Sequence, residues 1–288
     1  MTTLRYKAFE GLLRLGRANR ALGKAVDGAK GRRAKFPSKL KSRTDISQLN
    51  GQKIWTIHPP SGPSEKAYLH FHGGGYVLGL MGFHFDLAKQ LSERSGVSVI
   101  LPDYPLSPAA QVKDITSFAN EMYETALANF GAGNVKIGGG SAGGNLALAL
   151  ALHRKKHGLP QPDHILLMSP WVDLEMAHPA NDGPSNEVCF TDATDLRRAA
   201  LLFTGDVPVR DPQVSPTFAD LSGLPPLSIF TGDVDLLHTD ILSFADKAKA
   251  AGVLSKLAIY GTMGHIFMLY PTPDRESALI EMSDILRR

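Results

Sequence analysis

Short apolar runs alternate with longer amphipathic stretches along most of this chain, and that alternation restricts the fold more than any other feature. It is the pattern of a parallel sheet with crossover helices, an α/β class. The spacing predicts strands near Lys53 to Ile57, Ala67 to Phe71, Val97 to Pro102, Val135 to Gly139, His164 to Ser169, Leu227 to Gly232 and Ser255 to Ile259. Helical periodicity falls at about Phe83 to Ser95, Asp114 to Asn129, Gly143 to His157, Leu237 to Ala251 and Asp274 to Arg287. The alternation breaks between Trp171 and Pro225, a stretch rich in Pro and Asp. A compact domain rarely carries so long a loop, so a helical lid is expected there, with its helical signal at Thr191 to Phe203.

The 288 residues suffice for one large domain. With 43% hydrophobic and 20% charged residues, disorder, coiled coil and collagen are excluded. No apolar stretch reaches the roughly 18 residues of a membrane span, and the start lacks a secretory signal. The lone cysteine, Cys189, cannot form an intrachain disulfide and reads as a plain apolar residue, which points to a reducing, cytoplasmic setting. The net charge of +3 is unevenly spread: residues 1–43 carry thirteen Lys or Arg against two acidic side chains. An anionic surface, a nucleic acid or a transit peptide could each explain this. The stripe Leu4, Phe9, Leu12, Leu13 and Leu15 favours a helix lying on the rest of the protein, with no nucleic-acid partner.

The segment from Val135 to Leu146 ends a strand in glycines and opens a helix of small and apolar residues. Gly139, Ser141 and Gly143 form G-x-S-x-G, in which a serine sits on a strained turn and glycines on either side let the backbones approach. Its hydroxyl would project at a helix N-terminus, where the dipole and free amides favour developing negative charge. The same residues also read as G-x-G-x-x-G through Gly138, Gly140 and Gly143, a dinucleotide-binding turn. That rival needs an acidic residue about 20 positions on, at the end of the next strand. Asp163 has the offset but precedes its strand, and Asp173 comes later.

Acyl transfer also needs two or three amides aimed at one oxygen, and His72-Gly73-Gly74-Gly75 follows a strand where such a loop belongs. Gly73 and Gly74, with the amide of Ala142, are the expected oxyanion-hole donors. A serine hydroxyl requires a base and an acidic partner downstream. Of ten histidines, His265 stands in a flexible turn after the last strand. The acid is expected to be Asp235, 30 residues before it, whereas Asp240 reads as a cap of the following helix. The catalytic expectation is therefore Ser141, Asp235 and His265, with no metal: no H-E-x-x-H spacing occurs.

With these pieces in order, the chain resembles the hormone-sensitive lipase family of α/β-hydrolases, in its bacterial carboxylesterase branch, from about residue 50 onward. The matching motifs are His72-Gly73-Gly74-Gly75, Asp103-Tyr104, the Ser141 turn, Ser169-Pro170-Trp171-Val172-Asp173, Gly223-Leu224-Pro225-Pro226, Gly232 with Asp235 and Asp240, and His265. The resemblance implies the α/β-hydrolase fold: a mostly parallel eight-stranded sheet flanked by helices, under a helical cap. Residues 1–48 would form the basic cap segment and residues 49–288 the hydrolase domain, with a cap insertion at about 175–215. It further implies hydrolysis of short to medium acyl esters without a cofactor, the partner being a small-molecule ester, with a homodimer compatible. Alternatives on the same machinery are an amidase or formamidase, or a ligand-binding relative without turnover. Gly140 stands where the family usually has an acidic residue, and Pro105 and Ala109 where it has Arg and Glu.

Overall fold

The computed structural model describes residues 21–28, 35–182 and 193–288. The apolar stripe from Leu4 to Leu15, Cys189 and Thr191 lie outside the described residues. In chain order the elements are α1 (Ala21–Val26), β1 (Thr44–Leu49), β2 (Gln52–Ile57), β3 (Ala67–Phe71), α2 (Gly82–Ser95), β4 (Ser98–Pro102) and α3 (Val112–Phe130). They continue with β5 (Val135–Gly140), α4 (Ala142–Lys156), β6 (Ile165–Met168), α5 (Ala193–Thr204), β7 (Leu227–Gly232), α6 (His238–Ala250), β8 (Leu254–Tyr260) and α7 (Arg275–Arg287).

The strands form one eight-stranded sheet in the order β1-β2-β4-β3-β5-β6-β7-β8. From β4 to β8 every pairing is parallel, while β1 with β2 and β2 with β4 are antiparallel. Strands β3 to β7 are buried along their whole length. That is why they read as continuous apolar runs rather than alternating ones: helices cover both faces. Phe85, Leu91, Leu279 and Met282 of α2 and α7 pack on one face. Ile115, Phe118, Leu146, Ile241 and Phe244 of α3, α4 and α6 pack on the other.

Strand β1 escaped the sequence reading, because its exposed residues show too weak an apolar alternation. The signal lay beside it in Asn50-Gly51, both at positive φ (49° and 78°), the two-residue turn that closes Leu49 against Gln52. β1 therefore joins the sheet across the expected boundary at residue 48. The helix in the long insertion lies at Ala193–Thr204 and packs against α1. Among the described residues, no helix is long and apolar enough to cross a membrane.

The loops leaving β3, β5, β7 and β8 all emerge at the carboxyl edge of the parallel strands, where open α/β sheets bind ligands. These loops carry Gly73, Ser141, Asp235 and His265 respectively.

Candidate active site

At the end of β5 the backbone turns sharply into α4, and Ser141 takes φ 52° and ψ −121° as the residue before the helix. The turn is possible only because two backbones nearly touch. A Cβ on Gly143 would lie 2.0 Å from the Phe71 carbonyl oxygen, and one on Gly139 would lie 2.3 Å from the same atom. The Ser141 N–H donates to Met168 O (3.0 Å), while its carbonyl accepts from Asn145 N–H (3.0 Å) and Trp171 N–H (3.1 Å). The residue is pinned at the start of α4, with the positive end of that helix behind it.

The glycine loop after β3 is held from two sides. Tyr104 donates its hydroxyl to His72 O (2.7 Å) and stacks on the His72 ring at 4.2 Å. Tyr76 donates to Asn145 Oδ1 (2.6 Å) and stacks on Phe203 of α5 at 3.7 Å. Asn145 in turn donates to Trp171 O (2.7 Å) and Val214 O (2.8 Å), so one buried amide joins the loop, α4 and the insertion. Gly74 has φ 124°, a conformation closed to other residues without strain. Sequence reasoning missed Tyr76 and Asn145, since neither lies in a recognisable spacing; only three-dimensional proximity brings them together.

Gly73, Gly74, Ser141 and His265 line one cavity of about 60 Å³, with Leu22 of α1 and Leu196 of α5 in its wall. Ala142 follows Ser141 as the first residue of α4. Among the described residues, the amides of Gly73, Gly74 and Ala142 engage no protein acceptor. His265 Nδ1 hydrogen-bonds Asp235 Oδ1 at 3.0 Å, and both side chains are almost wholly buried. The same carboxylate oxygen accepts from Leu237 N–H at 2.9 Å. Burial alone would raise the Asp235 pKa. The charge of His265 and hydrogen bonds from His265, Ser169 and Leu237 outweigh it and hold the carboxyl below its ordinary value. Such a group stays an anion beside its histidine.

The other candidates fall elsewhere. Asp240 is not a helix cap: the residue preceding α6 is Leu237, and Asp240 Oδ2 accepts from Asn181 Nδ2 at 2.9 Å. It ties the insertion to α6 instead. Asp163 sits at the amino edge of the sheet in an ion pair with Lys136, on the far side from the Ser141 turn. It cannot hold a ribose there. His70 and His84 are buried beneath the glycine loop, and His84 Nδ1 accepts from Met81 N–H at 3.0 Å. Burial pushes the His70 imidazole down to about 3 and the His84 imidazole well below its ordinary value, so both are neutral. Ser169, matched in sequence only as part of a motif, is the residue whose hydroxyl holds the histidine loop, accepting from Ile266 N–H at 3.1 Å. Among the described residues no three His, Cys, Asp or Glu side chains converge as metal ligands would.

A serine on a strand-to-helix turn, faced by a glycine loop and an Asp-bound histidine at the carboxyl edge of a parallel sheet, defines an α/β-hydrolase. Comparison with known proteins narrows this further: the chain belongs to the alpha/beta hydrolase fold family, whose model matches residues 68–269, and its relatives make it a carboxylic ester hydrolase of the hormone-sensitive lipase kind. It is 31% identical to an esterase of Acinetobacter venetianus over 75% of this chain and 72% of that one. It is likewise 31% identical to an acetyl-hydrolase of Streptomyces hygroscopicus, over 73% of this chain and 71% of that one. A solved hormone-sensitive lipase from a metagenome library superposes with a TM-score of 0.82 at 27% identity, covering 97% of each chain. The esterase EstE5, solved after soaking in p-nitrophenyl butyrate, superposes with a TM-score of 0.83 at 25% identity over 97% of this chain and 96% of that one.

Proposed function

We propose that the chain hydrolyses short to medium acyl carboxylic esters through a triad of Ser141, His265 and Asp235, with Gly73, Gly74 and Ala142 supplying the oxyanion hole. The observation that carries this reading is the buried His265 to Asp235 hydrogen bond at 3.0 Å, on the wall of the cavity that Ser141 also lines. In this mechanism His265 Nε2 removes the Ser141 proton as Oγ attacks the ester carbonyl. Asp235 fixes the tautomer by accepting from Nδ1 and stabilises the imidazolium that forms. The carbonyl oxygen becomes an anion, met by amides that are already oriented. Each such donor is worth about 3 to 4 kcal/mol in the transition state. His265 then returns the proton to the departing alcohol, and water resolves the acyl-enzyme by the same route in reverse.

The short-acyl preference rests on the cavity. About 60 Å³ is open beside Ser141. One water needs roughly 10 to 15 Å³ by the same measure, so the space the described residues leave there matches a small acyl group. The acetyl-hydrolase name of one relative and the butyrate ester soaked into EstE5 point the same way. We read α1 and the insertion carrying α5 as the cap that forms this wall. Purified protein is expected to hydrolyse p-nitrophenyl acetate and butyrate well above octanoate, and Ser141→Ala should lower kcat by on the order of 10⁶. An active Ser141→Ala variant would move the nucleophile elsewhere.

A further inference from the structure

The short segment at the end of β6, from Met168 to Trp171, touches all three elements of the proposed triad, and Ser169 is its centre. On the nucleophile side, Met168 O accepts from Ser141 N–H at 3.0 Å and Trp171 N–H donates to Ser141 O at 3.1 Å. On the acid side, Ser169 N–H donates to Phe230 O at 2.8 Å, just upstream of the Asp235 loop. On the base side, Ser169 Oγ accepts from Ile266 N–H at 3.1 Å, the amide adjoining His265. This acceptor role fixes where the chain stands immediately after His265.

The backbone reinforces the arrangement. Ser169 has φ 43° and Ile266 has φ 44°, so both ends of this bridge occupy the left-handed region that a non-glycine residue enters only when its surroundings hold it there. Ser169 is fully buried and cannot exchange its partners for water. A glycine would fit this φ more easily. Serine at 169 therefore adds what glycine lacks, a hydroxyl on the base loop.

We propose that Ser169 is a positioning residue for ester hydrolysis, its hydroxyl holding the His265 loop, through the Ile266 amide, at the distance proton transfer needs. This rests on the triad reading above. Without the hydroxyl, the Ile266 amide loses its partner in a buried site. The His265 loop then shifts relative to Ser141, and misplacement of reacting groups by about 1 Å costs about 100-fold in rate. Substrate binding, which uses the apolar wall and the glycine loop, is untouched.

The test compares Ser169→Ala and Ser169→Gly with the wild-type enzyme on p-nitrophenyl acetate, each kcat being normalised to sites titrated with an organophosphate so that misfolded protein is not counted. Both variants should lose about 10- to 100-fold in kcat while KM stays within about twofold. Ser169→Gly should keep its thermal midpoint, because it relieves the positive φ. Wild-type kcat in both variants overturns the proposal. So does a loss confined to the alanine variant, which would make the role one of backbone, and so does a loss carried by KM alone. If the organophosphate leaves wild-type Ser141 unmodified, the triad reading fails and takes the proposal with it; labelled Ser141 with unaffected Ser169 variants removes the proposal only.

Discussion

At Ser141 the peptide is held at φ 52° and ψ −121° by three backbone hydrogen bonds and two glycines that leave no room for a Cβ. Strain of this kind costs about 1 to 3 kcal/mol and persists only when neighbouring structure over-determines it. Here the return is a hydroxyl fixed at the head of α4. Asp235 shows the same logic in electrostatics: a buried carboxyl kept ionised by the histidine it serves. Replacing it with Asn preserves shape but presents the wrong group to Nδ1, so Asp235→Asn should reduce kcat on p-nitrophenyl acetate by about 10⁴ with KM little changed. Activity within tenfold of wild type would show that another carboxylate does this work. The residues proposed to carry the chemistry could be picked out in sequence because their requirements are local: a serine between glycines, a histidine in a turn after the last strand. Ser169, Tyr76 and Asn145 could not, because their partners lie 26 to 97 positions away and no spacing announces them.

Among the elements, α1 and α5 meet above the carboxyl edge of the sheet and put Leu22 and Leu196 into the cavity wall. Both leucines are buried, and Leu22 reaches Gly75 so closely that a Cβ there would lie 2.8 Å from Leu22 Cδ1. Removing one side chain should lengthen the acyl group that fits. Leu196→Ala is expected to raise the kcat/KM ratio of p-nitrophenyl octanoate over acetate by about tenfold, the scale of 1 to 3 kcal/mol per methylene in an apolar pocket. The fold should weaken by about 2 to 5 kcal/mol, read from urea denaturation. An unchanged ratio would mean that α5 does not limit the acyl chain. The crossover strands and helices were readable to within a few residues because burial on both faces makes each strand a continuous apolar run. β1 was not, since an exposed edge strand has no core side to mark it.

Across the whole molecule, the price of a buried site is a set of groups that cannot take up protons. His70 and His84 lie almost fully buried under the glycine loop, the former with its imidazole pushed down to about 3 and the latter held well below the ordinary 6.5, by burial and by neighbouring histidines. Below pH 6.5 the unfolded chain binds protons there that the folded chain refuses, so stability must fall as pH drops from 6.5 toward the folded values. Asp235 acts in a different window: its depressed value adds stability above about 3.8 that is lost as pH falls below it. Between pH 7 and 5.5 the two histidines together should cost about 2 to 3 kcal/mol in urea-derived stability. His70→Gln should remove about half of that slope. A flat stability profile across this range would contradict the neutral, buried state of these rings.

The central claim is that Ser141 is the nucleophile, and covalent trapping tests it most directly. Diethyl p-nitrophenyl phosphate should inactivate the enzyme with one equivalent bound, and peptide mass spectrometry should find the phosphoryl group on the peptide carrying Ser141, with His265→Gln failing to react on the same timescale. Complete inactivation with Ser141 unmodified, or a label on any other serine, would contradict it.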